Sequence, residues 1–202
     1  LFKTYMKVLA QKNDMMATFM AKWTNDYPGQ SGHIHISLRD RTSGKSAFYA
    51  PDAELNMSDV QRHFLAGQQL LMPQFLCMIA PTVNSYTRMI PGYWAPTDAT
   101  WGVENRTTSL RVIPGSDKSQ RIEYRLGAAD ANPYLALAAA LSSGLYGIEH
   151  KMEPTDRIVG NAYEIEHPEA LQLPRTLWEA AQSFKQSEAA KAMLGEAFVE
   201  HF

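Results

Sequence analysis

The sequence predicts an α+β fold, a mainly antiparallel sheet with helices packed on its apolar face. Three observations carry that expectation. GHIHISL (32–38) and QRIEYRL (120–126) alternate polar and apolar residues with a period of two, the pattern of half-buried strands. The apolar stretches that follow Ser58 and Asn132 are too long for strands and read as helices. A chain of 202 residues, 45% hydrophobic and 20% charged, has the composition of an ordinary globular protein with ample core.

Taken in order, the first dozen residues read as a helix that leads into ATFMAKW (17–23), a further strand. The turn-rich break NDYPGQSG delivers the chain into the strand 32–38, and 39–56, with its Gly, Ser and Pro, reads as a long loop. Ser58 and Gln61 form a capping-box pattern for a helix that runs to Pro81, with Pro73 expected to kink or divide it. The segment 82–106, rich in Pro, Gly, Trp and Asn, has no clear periodicity, which in a compact domain points to a functional loop. TSLRVI and QRIEYRL then form strands near 108–113 and 121–126, joined by the turn PGSDKS. Asn132 caps the next helix with Pro133 at its first position. Two short helices are expected near the end, the first opened by a Thr176/Glu179 capping box, with Gly195 interrupting or ending a later one.

A formal charge of −2 argues against a nucleic-acid partner held by bulk electrostatics. No apolar run reaches the ~18 residues of a membrane span. The first residues are interrupted by polar ones and do not read as a signal peptide; without an initiator methionine, upstream sequence is expected to be missing. The one cysteine, Cys77, lies in LLMPQFLCMIA and is expected to be a core thiol without a disulfide partner, which fits a reducing cytoplasm.

The polar faces carry the chemistry. In a strand, His33, His35 and Ser37 share one side while Ile34, Ile36 and Leu38 share the other. His-x-His is a metal-ligand spacing, although alternation alone also produces such a face. Five of the ten arginines fall between Arg88 and Arg125, and Arg121, Glu123 and Arg125 share one strand face. Guanidinium groups bind phosphate and carboxylate with two prongs, so the cluster suggests an anionic ligand; a surface ladder of ion pairs is the plainer alternative. If Glu123 joins His33 at a divalent cation, the arginines would hold a polyanion there for phosphoryl transfer.

Four separated motifs, PGQSGHIHISL, NSYTRMIPGYWAP, ENRTTSLRVIPG and RIEYRLGAADANPYLALAAALSSGLYGI, resemble the glutamine synthetase catalytic domain in order and spacing, from about residue 15 to the end. The resemblance implies a curved sheet and an ATP-dependent ligase using Mg2+ or Mn2+. Glutamate attacks the terminal phosphate of ATP, and an amine or ammonium displaces phosphate from γ-glutamyl phosphate. It implies His33 and Glu123 as metal ligands, and His35, Ser37, Lys118 and Arg121 near the nucleotide. Arg106 and Arg111 would lie on the phosphates, with Arg88 and Arg125 on glutamate. Gly29 matches the glycine of the glutamate loop, although Pro28 replaces the asparagine that usually precedes it. Tyr163, in GNAYEIE, falls near a nucleotidylation site of some bacterial members, but its surroundings differ and an ordinary packed tyrosine is the reading adopted.

Two departures qualify the resemblance. The family has further metal-binding glutamates and an N-terminal β-grasp domain upstream of the matching part. Residues 1–202 are therefore expected to be the C-terminal portion of the catalytic domain, inactive alone, from a protein that assembles as a ring-shaped, dodecamer-like homo-oligomer. The second departure is Trp94: glutamine synthetases carry PGYEAP, whose glutamate attracts ammonium and takes its proton, where this chain has PGYWAP. Indole has no basic site but can line a pocket for a larger amine. The expected activity is thus a glutamate–amine ligase, with a true glutamine synthetase or a non-catalytic assembly module as alternatives.

Overall fold

A computed structural model describes residues 1–202 as a four-stranded sheet with seven α-helices. The sheet order is β1 (Ile34–Ile36), β4 (Arg121–Tyr124), β3 (Leu110–Ile113), β2 (Trp101–Val103). The pairs β1–β4 and β3–β4 are antiparallel, and β2–β3 is parallel. The sheet is therefore mixed at one edge.

Register explains how the two faces separate. Ile34, Tyr124 and Leu110 stand in one row across the three strands, and Ile36, Ile122 and Val112 in another. These apolar rows enter the core that also holds Phe64, Leu65, Met72, Leu76 and Ala140. Between them runs the row His35–Glu123–Arg111, whose side chains must take the opposite face.

Two helices cover the apolar side. The first, α2 (Asp59–Ile79), is N-capped by Ser58, whose hydroxyl accepts from the Gln61 amide at 3.1 Å. The reciprocal half of the expected capping box is absent. The Ser58 amide donates to Phe48 O, and the Gln61 side chain accepts from Gln120 Nε2. Pro73 neither divides nor ends this helix. It removes one amide donor, but 14 of the 21 helical residues are buried, and that packing outweighs one lost hydrogen bond. The second helix, α4 (Pro133–Glu149), has Pro133 in its first turn, and Asn132 accepts from the Tyr134 amide. α2 and α4 meet where Gly67 faces Gly147; a Cβ on Gly67 would lie 2.7 Å from Gly147 Cα.

Other elements depart from the sequence reading. Helix α1 (Phe2–Gln11) forms as expected, but 17–23 is not a strand. This stretch is held by Asn84, whose side-chain amide accepts from Lys22 N at 3.0 Å and donates to Lys22 O at 2.7 Å. Within 82–106, read as irregular, lie α3 (Val83–Arg88) and β2. α3 has a reciprocal capping box between Thr82 and Ser85. The C-terminal part forms three helices, α5 (Leu177–Gln186), α6 (Glu188–Leu194) and α7 (Glu196–His201), rather than two. Thr176 caps α5 as expected, while the Glu179 carboxylate reaches back to the Arg175 amide instead of the Thr176 amide. Gly195, at φ 87°, ends α6. Cys77 is buried and unpaired, and burial pushes its thiol up to about 12. No helix is long and apolar enough to cross a membrane.

Candidate active site

Glu123 is the centre of the polar face. It is 4% exposed, yet its carboxylate is ringed by donors. Arg111 Nη1 donates to Oε2 at 3.1 Å, and Arg125 Nη1 donates to Oε1 at 3.2 Å. His33 Nδ1 lies 2.8 Å from Oε1, with His35 Nε2 at 3.8 Å. Burial raises the carboxyl pKa, but the Arg111 hydrogen bond and the charges of Arg125, His33 and Arg111 outweigh it, leaving Glu123 below the usual range.

The two histidines are set in defined tautomers. Burial and the neighbouring Arg125 lower the His33 pKa against the opposing pull of Glu123, so the ring is neutral at pH 7. Its short contact is then Nδ1–H donating to the carboxylate, and Nε2 accepts from the Ser31 hydroxyl at 3.0 Å. Arg121 Nε donates to His35 Nδ1 at 3.2 Å, which places the His35 proton on Nε2.

His33 Nδ1 and Glu123 Oε1 fit two adjacent positions on one hard cation. Ligands at Mg2+ distances and right angles would stand ~2.9 Å apart. A hydroxyl both accepts and donates, so Ser31 could receive the His33 Nε2–H once Nδ1 turned to a metal. The chain gathers no group of three or more His, Cys, Asp or Glu side chains able to hold a metal. These two residues alone would therefore supply only part of a coordination shell.

The arginines occupy three zones. Arg111 is shared between Glu123 and Glu104, which accepts from both Nε and Nη2. Arg88 and Arg125 are 3% and 5% exposed. Arg88 Nη2 donates to Leu126 O, and burial brings its pKa down to about 10. Arg125 Nη2 donates to Arg106 O, tying β4 to the loop that carries Arg106. Arg106, Lys118 and Ser37 are exposed, while Arg121 is half-buried. Glu104 and Glu123 offset only part of this charge, so the face is cationic on a chain whose net charge is −2.

Gly29 abuts Arg88, where a Cβ would lie 2.6 Å from Arg88 Cγ, so only glycine permits this approach. Trp94 lies on the tight turn after Ile90, 65% exposed and at φ 59°. Tyr163 is half-buried with its hydroxyl oxygen fully covered.

Glu104 escaped the sequence reading because β2 did. The loop 104–109 must return the chain so that β3 runs parallel to β2, and Glu104 opens that return at φ 50°. An acid two residues before Arg106 was the available sign.

The fold and this cluster define an α+β domain with a buried carboxylate set among cations on its sheet. The chain belongs to the glutamine synthetase family: the family model described as glutamine synthetase, catalytic domain, matches residues 1–202. It is 45% identical to type-1 glutamine synthetase 2 of Dictyostelium discoideum, covering 100% of this chain and 39% of that protein. It is 42% identical to a glutamate–isopropylamine ligase of a Pseudomonas species, covering 99% of this chain and 43% of that protein. A solved chain described as apo GmaS without ligand superposes with a TM-score of 0.86 at 33% identity, covering 99% of this chain and 46% of that one. The chain thus spans about two-fifths of the length of the curated relatives it matches.

Proposed function

We propose that this chain supplies the glutamate- and phosphate-handling part of an ATP-dependent ligase that joins glutamate to an organic amine. The reaction passes through γ-glutamyl phosphate. The cationic face around Glu123 supports phosphoryl transfer, and one observation carries the choice of amine: the exposed indole of Trp94 in PGYWAP, where the family keeps an acid.

In this reading Arg88 and Arg125 hold glutamate, and Gly29 lets its loop close against Arg88. Arg106 and Arg111 neutralise charge on the transferring phosphate, the main catalytic demand of phosphoryl transfer. His35, Ser37, Lys118 and Arg121 line the nucleotide side. His33 and Glu123 would hold a Mg2+ or Mn2+ ion with residues outside this chain, and such an ion supplies Lewis-acid stabilisation of phosphate charge. Trp94 offers an apolar wall to the amine but cannot take its proton. The full-length protein is proposed to be a cytoplasmic, ring-shaped homo-oligomer, with residues 1–202 inactive alone.

A second reading, glutamine synthetase itself, is favoured by the 45% identity to the Dictyostelium protein of that name. Phosphate release by the full-length protein with ATP and glutamate, compared between ammonium and small alkylamines, separates the two. Faster release with an alkylamine supports the first reading, and a preference for ammonium supports the second.

A further inference from the structure

Among the buried polar atoms without a partner within this chain are three donors close to the Glu123 cluster: Arg88 Nε, Arg125 Nε and the Tyr163 hydroxyl. They come from three separate places, the end of α3, the residue after β4, and the turn Ala162–Glu164. All three are mutually within electrostatic reach, Arg88 and Arg125 acting on each other and both on the phenol. Neighbouring buried donors with no acceptor in the chain are open to one from outside, and an anion with several lone pairs meets that need.

The backbone shows that Tyr163 is placed there by construction. Asn161 Oδ1 accepts from the Tyr163 amide at 3.1 Å, and the Ala162 amide donates to Thr107 Oγ1 at 2.9 Å. Asn105 Nδ2 donates to Gly160 O at 2.8 Å, and Thr107 Oγ1 donates to Asn105 Oδ1. The tyrosine turn is therefore stapled to the Asn105–Thr107 loop, the same loop whose Arg106 carbonyl receives Arg125.

We propose that Tyr163 is a substrate-binding residue, its hydroxyl donating a hydrogen bond to the anionic group of the substrate clamped between Arg88 and Arg125. This rests on the functional reading above, which assigns that clamp to glutamate and its acyl phosphate. Burial raises the phenol pKa, the two guanidinium charges opposing, so the hydroxyl keeps its proton and stays a donor at neutral pH.

The test is Tyr163→Phe in the full-length protein, which keeps the ring and removes only the donor. L-glutamate and inorganic phosphate are titrated calorimetrically into both proteins, KM values for glutamate and ATP are measured, and thermal midpoints are compared. Losing a hydrogen bond to a charged group should weaken glutamate by about tenfold or more, with KM for ATP and the midpoint unmoved. Unchanged binding of both anions by Tyr163→Phe, with the wild type binding normally, overturns the inference and leaves the functional reading intact. A wild-type protein that binds neither anion overturns both. A general loss affecting ATP and the midpoint equally marks a packing role and also overturns it.

Discussion

At the scale of single residues, the proposed function turns on one buried carboxylate and one exposed indole. Trp94→Glu in the full-length protein would place a proton acceptor and an attraction for ammonium on the PGY-x-AP turn, and a positioned base contributes ~10²–10⁴-fold in rate. The lost aromatic wall would weaken a bulky amine by ~1–3 kcal/mol where the indole packs on it. The expected outcome is a shift in kcat/KM toward ammonium, read by steady-state phosphate release with both amines. An unchanged ratio would mean that Trp94 does not set amine choice. Acid sensitivity belongs to the same scale. The pKa values of both His33 and Glu123 are lowered from their ordinary values of 6.5 and 4.5, so the unfolded chain binds protons at higher pH than the folded one. The stability they contribute is full above about 6.5 and is lost as pH falls through that value and then through the carboxylate range. Urea midpoints should therefore drop between about pH 7.5 and about pH 5. Replacing His33 with Gln should flatten the upper part of that drop, and identical profiles would contradict the assignment.

At the scale of elements, the α2–α4 contact and the central strand pairings position everything else. Gly67→Ala would drive a methyl group toward Gly147 Cα and the Ser143 carbonyl, both backbone atoms that cannot swing aside. The helices must separate, at a cost of ~1–3 kcal/mol, and the thermal midpoint should fall accordingly. A variant as stable as the parent would show that the two helices can part freely. Elements with local signals were legible in the sequence: the cap at Ser58, Asn132 with Pro133, and the alternation of GHIHISL and QRIEYRL. Strand β2 was not, because Trp101–Val103 has three residues and pairs on one side only, with β3. The error at 17–23 has a related cause. Its backbone is tied to α3 by the Asn84 side chain at Lys22 rather than by a ladder, and such loop packing leaves the same composition as a strand.

At the scale of the whole molecule, 202 residues leave large apolar side chains uncovered. Leu1 before α1, Phe2, Tyr5 and Leu9 on it, Met15 and Met16 after it, and Tyr134, Leu137, Leu141 and Leu145 along α4 are all exposed. The four on α4 recur at helical spacing and form one stripe. Produced by itself, the chain should self-associate, with a sedimentation coefficient that rises with concentration. A high-melting species that stays monomeric at every concentration would contradict this.

The sequence by itself determined the periodicities, the caps and the identity of the charged groups, because each depends on neighbours within a few positions along the chain. It determined that His33, His35 and Ser37 share a side, and that Arg121, Glu123 and Arg125 share another. Only the tertiary structure decided that these sides are one face. That required the antiparallel register in which His35, Glu123 and Arg111 stand opposite one another across 87 residues of intervening chain from the first to the second. The position of Glu104 likewise follows from a return loop without a periodic signal, and that of Tyr163 from a turn stapled to partners far away in sequence. A one-residue slip in either pairing would have turned the carboxylate into the core, and the burial of the two apolar rows is the physical reason that it does not slip.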